Sequence, residues 1–239
     1  MKIKYLGTAA YEGVPSPFCR CETCKRALAA GGRNIRSRQQ ALIDGVLLLD
    51  FNADTVYHSH RYALDWSKIG DCLITHSHCD HLYPDDAEIA SRAYSHEHPP
   101  IRFYAAESGY QKLRPITEKE DSNASVSLAE AGREFTAAEG RYRVLPLAAD
   151  HDPSSSPLIY AIERGGKRML YAHDTGVFPE ETFNGLCSFG RLDFISFDCT
   201  GCLGETRDWR RGHMSLRTVK EVFERLCALG AADAATVKV

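Results

Sequence analysis

No stretch of this 239-residue chain approaches the ~20 consecutive apolar residues that a membrane-spanning helix needs. The opening residues, MKIKYLGTAA, alternate as a strand does, where a secretory leader is apolar throughout, so a cytosolic protein is expected. No block of Lys or Arg occurs and the net charge is −3, which argues against a broad basic surface for long nucleic acids. The expected partner is therefore a small-molecule substrate, with neither a long nucleic acid nor a membrane, and a homodimer is left open. Internal repeats and low-complexity segments are missing too. Cysteine, by contrast, is plentiful. Nine cysteines, an odd number, in a reducing compartment favour free thiols and metal ligation over a disulfide framework. The length and a hydrophobic content of 44% allow one large domain or two small ones, and residues 1–239 are read as one.

Along the chain, KIKYLG and ALIDGVLLLDF read as two strands flanking a loop of Gly, Pro and Cys, and DCLITH as a third strand buried on both faces. PDDAEIASRAYSH has helical spacing with acids in its first turn. IRFYAA follows as a strand, ESGYQKLRPI as a helix stopped near Pro115, and TEKEDSNASVSLAEAG as a charged, solvated loop. The second half reads as YRVLPLAADH, then a hairpin turning at Gly165 and Gly166, then LDFISFDC and a helix from about Ser215 to Leu229. Two β-rich runs with helices outside predict an α/β (α+β) protein with αββα layering.

The chemistry concentrates in THSHCDH, directly behind the DCLI strand. On extended backbone, residues two apart point the same way, so His76 and His78 can present imidazoles to one metal, while Asp80 and His81 face a second. The pairs HSH at 58–60 and HEH at 96–98 share the spacing but lack the Asp-His that follows, and are read as exposed helix and loop residues. In PFCRCETC, Cys19, Cys21 and Cys24 lie within six residues and can converge on one ion at about 2.3 Å each. Cys72, Cys187 and Cys227 sit in apolar surroundings and read as core, and the Cys199/Cys202 pair as a loop near the site. His213 lies just before the last helix, which Ser215 is expected to cap. Arg210 and Arg211 beside it are read either as an anion clamp or as a solvated pair.

THSHCDH, ADHDP and MLYAHDTG, in that order, resemble the H-x-H-x-D-H signature and downstream ligands of the metallo-β-lactamase superfamily, whose fold is the αββα four-layer sandwich. The resemblance implies that His76, His78 and His151 hold one metal, that Asp80 and His81 hold the other, and that Asp174 bridges them. His173 is left out of the site. The cysteine insert resembles the PhnP type of phosphodiesterase and the related PqqB proteins, in which such a cluster holds a structural zinc. By that resemblance the protein is a metal-dependent hydrolase using a metal-bridged hydroxide on a small phosphodiester, with Asp80, Asp174 and His213 in catalytic roles and zinc, manganese or iron as the metal. A PqqB-like oxidative or non-hydrolytic role and lactone or thioester hydrolysis remain as alternatives.

Two departures stand beside the resemblance. No glycine lies two residues after the motif in DHLYPDD, so Tyr83 is expected to shape the rim. No histidine follows His213, although the resembling proteins carry further histidine ligands after a last strand, and AATVKV looks like that strand. The expectation is a form lacking its C-terminal ligand segment, which holds the His76/His78/His151 metal best, binds the second ion weakly and leaves the Cys19/Cys21/Cys24 cluster open.

Overall fold

The computed structural model describes residues 1–204 and 210–239. These divide into two compact units, one of residues 1–105 and 109–127, the other of residues 106–108 and 128–239.

The first unit carries a six-stranded mixed sheet: β1 (Ile3–Gly7), β2 (Gln40–Ile43), β3 (Leu47–Leu49), β4 (Asp71–Leu73), β5 (Ile101–Ala105) and β6 (Ala124–Leu128), side by side in that order. β3, β4 and β5 run parallel. Leu47, Leu48, Leu49, Leu73 and Phe103 are fully buried there, as the unbroken apolar runs predict. The segment expected as one strand, ALIDGVLLLDF, is instead the antiparallel pair β2 and β3. Asp44 and Gly45 both take positive φ, 50° and 77°, and so reverse the chain. β6 likewise lies inside the segment expected to be a solvated loop, where Ser122 pairs with Ser91 just before it.

Three helices accompany this sheet. α1 (Glu22–Ala30) occupies the supposed cysteine loop; its N-cap is Cys21, whose Sγ accepts the Cys24 N–H at 3.5 Å. α2 (Thr55–Tyr62) carries the first of the two control histidine pairs. α3 (Glu107–Thr117) runs two residues past Pro115. The helix expected over residues 84–96 shrinks to a 3-10 turn, Pro84–Ala90, because Ser91 turns extended and pairs with Ser122.

His58 corrects a further expectation, since it is fully buried where an exposed residue was expected. Its Nδ1 faces Gln40 Oε1 at 2.7 Å and its Nε2 faces Ser37 Oγ at 2.7 Å. His98, the other corrected histidine, is half-buried with its ring nitrogens against the Pro99 and Ala90 carbonyls, at 2.7 and 3.0 Å.

The second unit is a five-stranded sheet of β7 (Phe135–Ala137), β8 (Tyr142–Ala148), β9 (Leu158–Arg164), β10 (Lys167–Ala172) and β11 (Phe194–Phe197), in the order β11-β10-β9-β8-β7. Gly165 and Gly166, at φ 57° and 73°, make the expected hairpin. β10 and β11 are parallel, which requires a crossover, and α4 (Glu180–Phe189) supplies it. Cys187 lies on the outer side of α4 and is exposed, so it is not core; Cys227 is half-buried and packs against the apolar core of this unit, and Cys72 is fully buried. α4 buries Thr182, Phe183, Leu186 and Phe189, a spacing that turns position 187 outward.

α5 (Leu216–Ala228) matches its predicted span to within a residue at each end, because Ser215 and Thr218 form a reciprocal cap. It sets Val222 and Leu226 into a core with Leu170, Phe183 and Ile195. The terminal AATVKV is no strand: one parallel bridge joins Lys238 to Phe194. Among the described residues, no helix is long and apolar enough to cross a membrane.

Candidate metal centre

The first unit assembles its donors where β4 gives way to a loop. Ile74 N–H still donates to the Tyr104 carbonyl at 2.8 Å, so the ladder holds the chain straight up to the motif. Asp50, at the end of β3, takes a left-handed φ of 67° and is fully buried. Its Oδ1 accepts both the backbone N–H and the Oγ1–H of Thr75, each at 2.8 Å, and its Oδ2 lies 2.8 Å from His81 Nδ1. A carboxylate on Nδ1 fixes the tautomer and aims Nε2 outward as a lone-pair donor.

The turn that follows is closed by His81 N–H and Leu82 N–H, both donating to the His78 carbonyl at 3.0 and 2.7 Å. It is tied to β3 by Phe51 N–H to the His81 carbonyl at 2.8 Å and by Tyr83 N–H to the Phe51 carbonyl at 2.7 Å. Within this frame His76 Nε2 and His78 Nδ1 stand 3.0 Å apart, and the His76 and His81 rings lie 4.2 Å centroid to centroid. Ligand atoms at ~2.0–2.1 Å around a tetrahedral ion sit ~3.4 Å from one another, so a cation fits between this pair with a few tenths of an ångström of adjustment. Asp80 is buried with Oδ2 3.7 Å from His81 Nε2. Tyr83 is exposed beside the motif.

In the second unit His151, Asp174 and His213 come together, with one ligand atom of each within 4.8 Å of the others. His151 Nδ1 donates to the Gly212 carbonyl at 2.7 Å; a carbonyl can only accept, so Nε2 carries the lone pair. His213 Nδ1 lies 2.7 Å from Asp198 Oδ2, and Asp198 is buried. Asp174 takes a left-handed φ of 52° in the turn after β10.

The turn is stitched to the loops carrying His151 and His213: Gly176 N–H donates to the Asp150 carbonyl at 2.7 Å and Val177 N–H to the Arg210 carbonyl at 2.8 Å. Only glycine fits at 176, because a Cβ there would lie 2.2 Å from the Arg210 oxygen. His173 points elsewhere, with Nε2 2.6 Å from Ser196 Oγ and its ring stacked on Tyr171. Arg210 is paired with Glu221 at 2.8 Å and Arg211 with Asp150 at 3.3 Å.

The sulfurs of Cys19, Cys21 and Cys24 also lie within 4.8 Å of one another, near the start of α1. Hydrogen bonds from the Cys24 backbone, and then from the neighbouring thiols, lower the Cys21 pKa to about 7, which favours the thiolate that metals bind. Sequence reasoning passed over Asp50 and Asp198. The available signal was an acid closing an apolar strand in both LLLD and ISFD.

Beta-lactamase superfamily domain is the description of the family that matches this chain, over residues 56–235. The chain belongs to that superfamily, with the α/β fold of the metallo-β-lactamase type. No curated protein matches it.

Among solved structures it is similar to zinc-bound PqqB from Methylobacterium extorquens, at 20% identity over 90% of this chain and 81% of that one, with a TM-score of 0.70. A diphosphatase from the PhnP family is 20% identical over 94% of this chain and 82% of that one, with a TM-score of 0.69. The short form of human tRNase Z is 16% identical over 97% and 90%, with a TM-score of 0.64. These likenesses speak to the fold. The superfamily match and the histidine and aspartate clusters mark a metallohydrolase of this fold.

Proposed function

We propose that the protein hydrolyses a small phosphodiester with two divalent metals, His76, His78 and His151 holding one, Asp80 and His81 the other, and Asp174 bridging. The order of the motifs in a chain of this superfamily supports that ligand set. The observation that carries it is the double lock on ligand tautomers: Asp50 occupies Nδ1 of His81 and the Gly212 carbonyl occupies Nδ1 of His151. Each histidine therefore offers Nε2 as a donor, which structural histidines have no need to do.

When bound, such ions supply a water-derived nucleophile at neutral pH and charge to offset the developing anion. His213, oriented through its Nδ1 by Asp198, is assigned to the leaving oxygen or the phosphoryl charge. A cleft of about 490 Å3 alongside His151, lined by Leu158, Pro153, several alanines and the acidic Glu107, Glu130 and Asp150, has the size of a small ligand. The Cys19, Cys21 and Cys24 thiolates are assigned a structural zinc, on their convergence.

The test is metal content and turnover of bis(p-nitrophenyl) phosphate. His76→Ala and Asp80→Ala lose metal and activity together; His213→Ala keeps its metal and slows turnover by about 100-fold or more. Full metal content and full activity in both ligand variants would refute the ligand set. Oxygen consumption by an iron-loaded form inert toward diesters would replace hydrolysis by an oxidative role.

A further inference from the structure

The first unit holds a second cleft, of about 730 Å3, walled by β1, the segment between α1 and β2, and α2. Three guanidiniums line it, Arg33, Arg36 and Arg61, together with the rings of Tyr5, Tyr57 and Tyr62. Three positive charges in one cleft stand out on a chain whose net charge is −3.

The carboxylate in the wall does not neutralise them. Asp54 is already engaged through both oxygens, accepting Arg38 Nη1–H at 2.9 Å and Arg38 N–H at 2.9 Å. Arg33 and Arg36 are exposed and make no ion pair among the described residues. Arg61 stands over two aromatic rings, with its guanidinium carbon 5.9 Å from the Tyr57 ring centroid and 5.7 Å from that of Tyr62. Hydrogen bonding to Tyr62, then the charges of the two phenols, raise its pKa further. Lys4 Nζ adds a fourth cation 4.6 Å above the Tyr62 ring.

An anion alone would leave the aromatic side of this cleft unused, and an apolar ligand would leave the guanidiniums uncompensated. We infer that the cleft binds an aromatic phosphate ester of nucleoside monophosphate size, its phosphate on Arg33 and Arg36 and its ring on Tyr57. Planar guanidiniums match phosphate oxygens in pairs, and an exposed tyrosine face accepts a base by stacking. Tyr57 is 48% exposed and is open to such a ring. The cleft involves none of the proposed metal ligands, so the inference stands apart from the hydrolase assignment.

The experiment is calorimetric titration of AMP, adenosine and inorganic phosphate into the full chain and three sets of variants. AMP should bind the wild-type protein more tightly than either fragment and bind His76→Ala equally well. Arg36→Ala should weaken AMP by about tenfold, the loss of one charge-assisted contact, with Arg36→Lys in between. Tyr57→Ala should weaken AMP and leave inorganic phosphate unchanged. Unaltered circular dichroism in the arginine variants, whose side chains are exposed, separates lost binding from lost folding. AMP binding that vanishes in His76→Ala but survives Arg36→Ala would place the nucleotide at the metal ligands and overturn the inference. So would no AMP binding at all, or phosphate binding as tightly as AMP.

Discussion

Acidification should unfold this protein in part through one histidine that touches no metal ligand. His58 is sealed beneath the sheet with both ring nitrogens satisfied in the neutral state. Gln40 donates its amide to the Asp50 carbonyl and to Thr55 Oγ1, at 3.0 and 2.9 Å, so its oxygen faces His58 and accepts Nδ1–H. Nε2 then accepts the Ser37 hydroxyl. Burial lowers the pKa from 6.5 to about 4; Asp54 opposes that and Arg61 reinforces it.

The sign follows from proton counts. Between pH ~6.5 and ~4 the unfolded chain binds a proton at His58 that the folded chain refuses, so stability falls with falling pH across that window and is level on either side. A shift of about 2.5 units at ~1.36 kcal/mol each makes the loss ~3 kcal/mol, a sizeable share of a stability of ~5–15 kcal/mol.

Urea unfolding of the wild type and of His58→Gln, from pH 7.5 down to 4, isolates this contribution because every other titration is common to both. The variant should be the less stable at pH 7.5, by ~1–3 kcal/mol for the lost hydrogen bonds, and the gap should close by ~3 kcal/mol by pH 4. Parallel curves, or an NMR titration of His58 with a midpoint near 6.5, would refute the reasoning.

Asp50→Asn removes the acceptor of His81 Nδ1, and the proposed second metal should bind ~10–100-fold more weakly in metal titrations while the fold persists. Gly176→Ala drives a Cβ to 2.2 Å from the Arg210 carbonyl. It should destabilise by ~1–3 kcal/mol in thermal or urea unfolding and displace the His213 loop, so diester turnover falls with it. Cys21→Ser should lower the zinc content at the thiolate cluster and leave the histidine-bound metal unchanged, read as zinc stoichiometry beside His76→Ala.

Much of this protein was written locally. The six residues from His76 to His81 carry four of the proposed donors, and their spacing alone announced a metal site behind a buried strand. Ser215 and the apolar periodicity of α5 set that helix nearly to the residue. Gly165 and Gly166 marked their hairpin, and Asp44-Gly45 carried the same signal inside a run too apolar for it to be heeded.

What tertiary structure decided were the partners. Asp50 lies 31 residues from His81, Gly212 lies 61 from His151, and Asp198 lies 15 from His213. No local period links such pairs; the sheets do, by bringing strand ends side by side. The same holds for His58, whose H-x-H spacing matched the motif's while its burial against Ser37 and Gln40 made it a neutral structural residue. A donor's type is a property of the sequence, but whether its nitrogen faces a metal or a hydroxyl depends on which distant strand the fold lays against it.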